Sequence, residues 1–238
     1  TLTCDGSATS NLTQTDSLTA DLSFRIEQAR HNDNFTCGEL DNGGGIGCRE
    51  KSDVVIVLDS SGSIDNNIGV ATSAAMSFVE ALNPTASGTH VALVDFDSTA
   101  TLDPHLTDDA SAIQTILNGI TAGGGTNLTA AINTAAGELE NPGDGHDRDD
   151  VESPDFMVII TDGDPNNPVT AAAAAAAAHA DGITVYVLGV GTTAQTSTYL
   201  ETEIASSPDT YFDIADFGDL KDALMNLTEC ELDIVDQI

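Results

Sequence analysis

Continuously apolar segments alternate with helical segments from residue 51 onward, and this alternation constrains the fold more than any other feature of the chain. Strands bounded by helices and apolar along their whole length are typical of a mostly parallel sheet covered on both faces. We therefore expect an α/β fold with a doubly wound, mostly parallel six-stranded sheet and helices on both sides. The pattern predicts strands at 54–58, 91–96, 100–106, 156–161, 183–188 and 211–214, and helices at 66–82, 109–117, 128–140, 169–180, 199–205 and 217–228.

Polar residues that suit a metal ion occur in three loops of this pattern. The first strand runs into Asp59-Ser-Ser-Gly-Ser63, the loop Gly123–Asn127 precedes a helix, and the strand at 156–161 runs into Asp162-Gly163. Open α/β sheets bind ligands at the carboxyl ends of their strands, and carboxylate and hydroxyl oxygens suit a small hard cation. The sequence thus predicts a divalent-cation site, with Mg²⁺ expected and Ca²⁺ or Mn²⁺ accepted by the same oxygens. Its candidate ligands are Asp59, Ser61, Ser63, Thr126 and Asp162.

Each of these motifs also has an ordinary structural explanation. Ser61 and Ser63 are residue types that cap helices, and Thr126 precedes a helix that it could cap. Asp162-Gly163 is a common turn sequence. All of these explanations would have to hold together to account for the pattern, so we favour the cation site.

In this order, D-x-S-x-S, G-G-x-T and T-D-G resemble the von Willebrand factor type A domain with its metal-ion-dependent adhesion site, over about residues 52–229. The resemblance implies that Ser61 and Ser63 bind the metal directly and that Asp59 and Asp162 hold metal-bound waters. It implies that Thr126 binds directly once a ligand is engaged. It further implies that a protein ligand completes the coordination with a Glu or Asp carboxylate.

The four cysteines, Cys4, Cys37, Cys48 and Cys230, form no C-x-x-C pair, which disfavours a zinc or redox motif. Four cysteines allow three pairings. The resemblance implies a Cys48–Cys230 disulfide, because several members of the family join the two ends of the domain in this way, and it leaves Cys4–Cys37 as the second.

Four N-x-T sequons add a second sign of an oxidising exterior. Asn11, Asn34 and Asn226 are candidate glycosylation sites. Asn127 lies inside the predicted metal loop, so we do not expect glycosylation there. The chain does not begin with Met, and we expect a mature product located outside the cell or on its surface.

The chain contains 6 basic and 39 acidic residues, which gives a net charge of −33. Such a chain is repelled by nucleic acid and by anionic membrane surfaces, so neither is an expected partner. Three explanations of this negative charge are a salt-adapted surface, a surface that binds divalent cations or mineral, and a disordered acidic segment. The acids are interleaved with apolar strands, which disfavours disorder, and we favour a salt-adapted organism. No segment approaches the ~18–20 apolar residues that span a bilayer, so direct membrane insertion is not expected.

The N-terminal segment differs from the rest of the chain. Apolar residues at 18, 20, 22, 24 and 26 alternate with polar ones, which predicts a half-buried strand, and a glycine-rich linker follows at 42–47. Residues 17–34 resemble camelysin-type secreted β-sandwich proteins, which implies a sheet completed elsewhere. We predict a β-rich segment with its linker at 1–50, the α/β domain at 51–230, and a strand-like extension at 231–238.

The remaining candidate motifs in the sequence do not indicate an enzyme. The acidic loop at 144–150 could hold Ca²⁺, but it lacks the glycine and terminal Glu spacing of an EF-hand, so we favour a solvated loop. The five histidines form no H-E-x-x-H motif, G-x-S-x-G is absent, and the loop Gly123–Asn127 lacks the lysine of a phosphate-binding loop.

Three hypotheses about function remain. The first is a secreted or surface-displayed adhesion module that binds a protein ligand through one divalent cation. The second is a structural subunit of an extracellular filament or surface layer, assembled by strand addition between copies. The third, a regulatory domain of a larger enzyme, is disfavoured by cysteines of the disulfide type.

Overall fold

A computed structural model of the 238-residue chain describes residue 46 and residues 49–141, 143 and 145–228. The chain divides into two compact units, residues 45–229 and residues 1–44 together with 230–238. The larger unit contains β1 (Ser52–Asp59), α1 (Ile68–Leu82), β2 (Thr89–Phe96), β3 (Ala100–Leu102), α2 (Ala110–Leu117), α3 (Leu128–Leu139), β4 (Asp155–Thr161), α4 (Pro168–Ala180), β5 (Thr184–Val190), α5 (Ala194–Tyr199), β6 (Tyr211–Ile214) and α6 (Leu220–Asn226).

These strands form one six-stranded sheet in the order β3-β2-β1-β4-β5-β6. Every neighbouring pair is parallel except β2 and β3. The chain proceeds outward from β1 in one direction through β2 and β3, and in the other through β4, β5 and β6. The topological switch point therefore lies between β1 and β4, where open α/β sheets bind their ligands. The α/β fold expected from the sequence is confirmed.

Alternate residues of the sheet supply two separate cores. In β1, Val54, Ile56 and Leu58 pack in the core that also contains apolar residues of α1, α2 and α6. Val55 and Val57 pack in the other core with apolar residues of α3 and α4. All eight residues of β1 are buried, as expected of a central strand covered on both faces.

The alanine-rich helix α4 fits this arrangement. Ala171, Ala174, Ala175 and Ala178 are buried against the sheet. Alanine has the highest helix propensity, and its single methyl group lets the helix lie close to the strands.

The structure differs most from the sequence prediction at two elements and at one buried residue. The helix expected at 199–205 begins earlier, because Thr193 caps α5 by accepting from the backbone N–H of Thr196, and it ends in a π-helical turn at Leu200–Ile204. Strand β3 has three residues instead of seven. Ile46, which the sequence placed in a linker, is fully buried in the core with α1 and α6.

Several predictions fall outside the described residues. They concern the alternating strand at 18–26, the extension at 231–238, the four cysteines, and the sequons at Asn11 and Asn34. Asn226 is described and exposed, at the end of α6. Among the described residues, none of the helices has the length and apolar content to cross a membrane.

Candidate functional site

The three loops singled out by the sequence meet at the carboxyl ends of β1 and β4. Asp59 is the last residue of β1, and Asp162 follows the last residue of β4. The glycine-rich loop is joined to the first loop by two backbone hydrogen bonds, from Gly123 to the Ser60 carbonyl at 2.8 Å and from Gly62 to the Gly124 carbonyl at 3.2 Å. All five candidate ligands are thus carried by neighbouring loops at the switch point of the sheet.

Asp59 is fully buried and held at both carboxylate oxygens. One oxygen accepts from the backbone N–H of Ser61 at 2.8 Å, and the other accepts from the Thr161 hydroxyl at 2.6 Å. Burial, with a smaller contribution from the charge of Asp162, outweighs these hydrogen bonds and raises the pKa of Asp59 to about 6. The carboxylate is therefore fixed in orientation and is costly to keep ionised.

Ser61, Ser63 and Asp162 form a hydrogen-bonded chain across the two loops. The two serine hydroxyls are 2.9 Å apart, and the Ser63 hydroxyl donates to Asp162 at 2.7 Å. Burial raises the pKa of Asp162, while the hydrogen bond from Ser63 lowers it.

The serines are not helix caps, which was the ordinary explanation for them. Helix α1 begins at Ile68, and its N-cap residue, Asn67, makes no side-chain cap. The hydroxyls of Ser61 and Ser63 bond to each other instead, and they point toward the loop after β4.

Thr126 is positioned through its backbone. Its N–H donates to the Asn166 side chain at 3.2 Å, and its carbonyl accepts from the Asn166 N–H at 2.8 Å. A Cβ added at Gly163 would lie 3.7 Å from the Ser63 hydroxyl and 4.0 Å from the Thr126 hydroxyl, so these two hydroxyls flank the same small space. Helix α3 is capped by Asn127, and Thr126 is therefore not its cap.

The β2–β3 turn supports the glycine-rich loop from the other side. The Ser98 hydroxyl accepts from the N–H of Gly125 at 2.8 Å, and the Asn127 side chain donates to the Ser98 carbonyl at 3.1 Å. Gly124 has φ +73°, and a Cβ there would also lie 2.6 Å from the Asp97 carboxylate, so the loop requires glycine at this position.

The donor set fits a divalent cation. Two carboxylates and three hydroxyls are gathered in one place, and within the described ranges no lysine, arginine or histidine forms an ion pair with Asp59 or Asp162. Each carboxylate has a pKa raised by burial. An ion of charge +2 would balance both, and hydroxyls as neutral ligands would leave it able to accept a further oxygen.

A groove of about 490 Å³ lies beside the first loop. Its polar lining includes Ser60, Asp95, Asp97, Thr99 and Thr121. Burial raises the pKa of Asp95, and a hydrogen bond from Ser60 lowers it. The groove is adjacent to the candidate site in sequence through Ser60, but none of the five candidate ligands lines it.

The sequence analysis missed three supporting residues. Thr161 could have been found, because it belongs to the T-D-G motif and precedes Asp162 at the end of β4. Asn166 and Ser98 carry no sequence signal, since each acts through backbone contacts made in the folded loops.

Comparison with known proteins agrees with this architecture. The family model described as the von Willebrand factor type A domain matches residues 53–226, which is most of the chain. Among curated proteins, none matches the sequence of this chain.

Among the solved structures that are similar to this chain, three illustrate the range. One is the pilus adhesin SpaC from Lactobacillus rhamnosus GG in an open conformation, with a TM-score of 0.65, 18% identity, and coverage of 78% of this chain and 30% of that chain. The second is the vWF domain of the type V pili tip protein Mfa5 from Porphyromonas gingivalis, with a TM-score of 0.66, 14% identity, and coverage of 76% and 94%. The third is proximal thread matrix protein 1 from the mussel byssus, with a TM-score of 0.60, 23% identity, and coverage of 77% and 48%.

At these identities, the likenesses show the fold. The matched part of this chain spans less than a third of the length of the SpaC adhesin.

Proposed function

This chain belongs to the von Willebrand factor type A domain family, and we propose that it is an extracellular or surface-displayed adhesion module that binds a protein ligand through a divalent cation. The observation that carries the proposal is the meeting of Asp59, Ser61, Ser63, Thr126 and Asp162 at the carboxyl ends of β1 and β4. These are the positions at which the family's metal-ion-dependent adhesion site is expected.

In this proposal the protein's own residues position the ligands of the ion. Thr161 and the Ser61 N–H fix the Asp59 carboxylate, and Asn166 holds the backbone of Thr126. When bound, a divalent cation supplies a coordination position for an acidic side chain of the partner. Mg²⁺ is the expected ion, and Ca²⁺ or Mn²⁺ can use the same oxygens.

The electrostatics explain why a cation is needed. A carboxylate from a partner would approach Asp59 and Asp162 beside a groove that contains Asp95 and Asp97, on a chain of net charge −33. Like charges in such proximity are unfavourable, so binding of an acidic residue depends on the ion.

Calorimetric titration with Mg²⁺ tests the metal site directly. Ser61→Ala/Ser63→Ala removes two ligands and should weaken Mg²⁺ binding at this site at least tenfold. Ser73→Ala/Ser77→Ala is the matched control, because these two serines donate only to backbone carbonyls of α1. Replacing them should leave the Mg²⁺ affinity unchanged. Equal Mg²⁺ affinity in the two variants would rule out this site.

The nature of the ligand can be tested with a random peptide library. Peptides selected on the full chain in Mg²⁺ and released with a chelator should be enriched in Asp or Glu. Enrichment that is the same on the Ser61→Ala/Ser63→Ala protein would contradict binding through the ion.

A second candidate function is a subunit of an extracellular filament. Two of the similar structures are a pilus adhesin and a pili tip protein, and one is a thread matrix protein, which favours a filament-associated role. We expect self-association at high salt that is lost on deletion of residues 1–36. A protein that sediments as a monomer with or without this segment would exclude the filament role.

A further inference from the structure

Five carboxylates gather at the opposite end of the same two strands. Asp53 and Asp155 are register partners near the amino ends of β1 and β4. Glu140 is the C-cap residue of α3, and Asp147 and Asp150 lie in the connection from α3 to β4. Six residues of extended strand separate Asp53 from Asp59, which is roughly 20 Å, so this cluster is distinct from the candidate site described above.

Two overlapping sets of three carboxylates are each close enough to hold an ion. Oxygens of Asp53, Asp147 and Asp155 lie within 4.8 Å of one another, and so do oxygens of Glu140, Asp150 and Asp155. Ligand oxygens of Ca²⁺ lie ~2.4 Å from the ion, so two oxygens of one site are at most about 4.8 Å apart. Asp155 belongs to both groups and is therefore the centre of the cluster.

Asp155 is buried without a partner. The residue is only 5% exposed, and its Oδ1 atom has no hydrogen-bond partner in the described part of the chain. The Oδ1 atom of Asp147 is likewise buried and unpartnered. A buried carboxylate oxygen without a donor is costly, so the fold leaves a place for a positive group here.

Repulsion between the carboxylates of the cluster also favours a bound positive ion. Burial, together with the charges of Asp150, Asp147, Asp53 and Glu140, raises the pKa of Asp155 to about 8. Burial and neighbouring carboxylates also raise the pKa of Asp147 to about 6.

Arg148 lies near the cluster but does not neutralise Asp155 or Asp147. Arg148 donates to Asp53 at 2.8 and 3.0 Å, and its other N–H groups donate to the carbonyls of Ser52 and Gly88 at 2.7 Å. Arg148 therefore neutralises Asp53 and leaves Asp155 and Asp147 unpaired.

A nearby buried glutamate shows what a satisfied carboxylate looks like in this fold. Glu138 is 2% exposed, but its two oxygens are bonded by the Leu106 N–H and by His105, each at 2.7 Å. Both oxygens of Glu138 thus have a partner, whereas the Oδ1 atom of Asp155 has none in the described part of the chain.

We propose that Asp147, Asp155, Glu140 and Asp150 form a second divalent-cation site at the amino ends of β1 and β4, selective for Ca²⁺. Ca²⁺ accepts six to eight oxygens in flexible geometry, including several carboxylates, whereas Mg²⁺ requires a near-ideal octahedron. Glu140 and Asp150 are exposed, which gives the ion a route from solvent. The bound ion ties the α3–β4 connection to the sheet. The proposal does not depend on the function proposed for the other end.

Equilibrium dialysis of the full chain against CaCl₂, at fixed ionic strength, tests this site separately from the first. In the Ser61→Ala/Ser63→Ala background we expect one Ca²⁺ to remain bound, with a Kd on the order of 0.1–1 mM, as in extracellular calcium modules. Adding Asp147→Asn/Asp155→Asn should weaken this binding at least tenfold. Adding Asp209→Asn/Asp222→Asn, which removes the same charge from exposed positions elsewhere, should leave it unchanged.

Three results would overturn the proposal. One is the absence of bound Ca²⁺ in the Ser61→Ala/Ser63→Ala protein at millimolar Ca²⁺. The second is equal weakening by the cluster pair and the control pair, which would indicate a diffuse effect of net charge. The third is Mg²⁺ binding as tight as Ca²⁺. Asp147→Asn alone, at a half-buried loop position, should reproduce the loss without disturbing the sheet.

Discussion

The two ends of the β1–β4 pair treat buried carboxylates in different ways. At the carboxyl ends, Asp59 has a donor at each oxygen and Asp162 accepts from Ser63. At the amino ends, Asp155 has an oxygen without a donor, and Arg148 is engaged with Asp53.

Hydroxyl donors make the difference between the two ends. A serine or threonine hydroxyl lowers the cost of a buried carboxylate without cancelling its charge, so the carboxyl-end site stays oriented and still attracts a cation. The amino-end cluster has no such donors on Asp155 in the described structure, and its carboxylates interact mainly by repulsion. Ion binding should therefore affect ligand contact at one end and stability at the other.

The largest expected effect is the loss of the arginine at the amino end. Arg148→Met would leave Asp53, whose side chain is fully buried, without its partner. Breaking a buried ion pair on one side typically costs about 3–5 kcal/mol, so we expect the free energy of unfolding to fall by that amount in denaturant titrations. Lys51→Met breaks an exposed pair with Glu152 and should cost less than about 1 kcal/mol. Equal effects would mean that Asp53 is not supported by Arg148.

A smaller effect is expected at the carboxyl end. Thr161→Val keeps the shape of the side chain but removes the hydroxyl that donates to Asp59. Hydrogen bonds to charged groups are worth about 1.5–3 kcal/mol, so unfolding should become easier by that amount, and Mg²⁺ affinity should fall.

Thr89→Val provides the comparison for Thr161→Val. Thr89 shares a neutral hydrogen bond with Ser52 at 3.0 Å, and its loss should cost about 0.5–1.5 kcal/mol. A Thr89→Val effect as large as that of Thr161→Val would show that the charge of Asp59 adds nothing.

The fold and the carboxyl-end residues could be predicted because their signals are local. Continuous apolar strands such as Val54–Leu58 indicate burial on both faces, and each candidate ligand follows or precedes such an element by a few residues. The expected sheet is confirmed, and the five candidate residues lie together. Metal binding by these residues stays a prediction.

The amino-end cluster could not be predicted, because no motif contains it. Asp53 and Asp155 each precede an apolar strand without belonging to a recognisable motif, and the sequence favours a solvated loop at 144–150. Only strand pairing brings Asp155 beside Asp53 and places the loop against both. Burial of Ile46 was missed for the same reason, since a single apolar residue among glycines carries no periodicity.

The last prediction concerns pH and tests the unpaired carboxylate at the amino ends directly. Burial raises the pKa of Asp155 from 3.8 to about 8, so the folded protein binds this proton more tightly than the unfolded chain. Without divalent ions, the contribution of Asp155 to stability should therefore fall as the pH rises from about 4 to 8. Asp155→Asn removes this dependence and, in chelator at pH 8, should unfold at a higher temperature than the unmodified protein.

A difference of about 1 kcal/mol moves the thermal midpoint by about 2–4 °C in a domain of this size, which calorimetry resolves. Asp209→Asn, at an exposed position, controls for net charge and should follow the unmodified protein across the pH range. Identical pH curves for Asp155→Asn and Asp209→Asn would show that Asp155 is not specially destabilised. If the second cation site exists, millimolar Ca²⁺ at pH 8 should reverse the order, because only the protein with Asp155 gains stability from the ion.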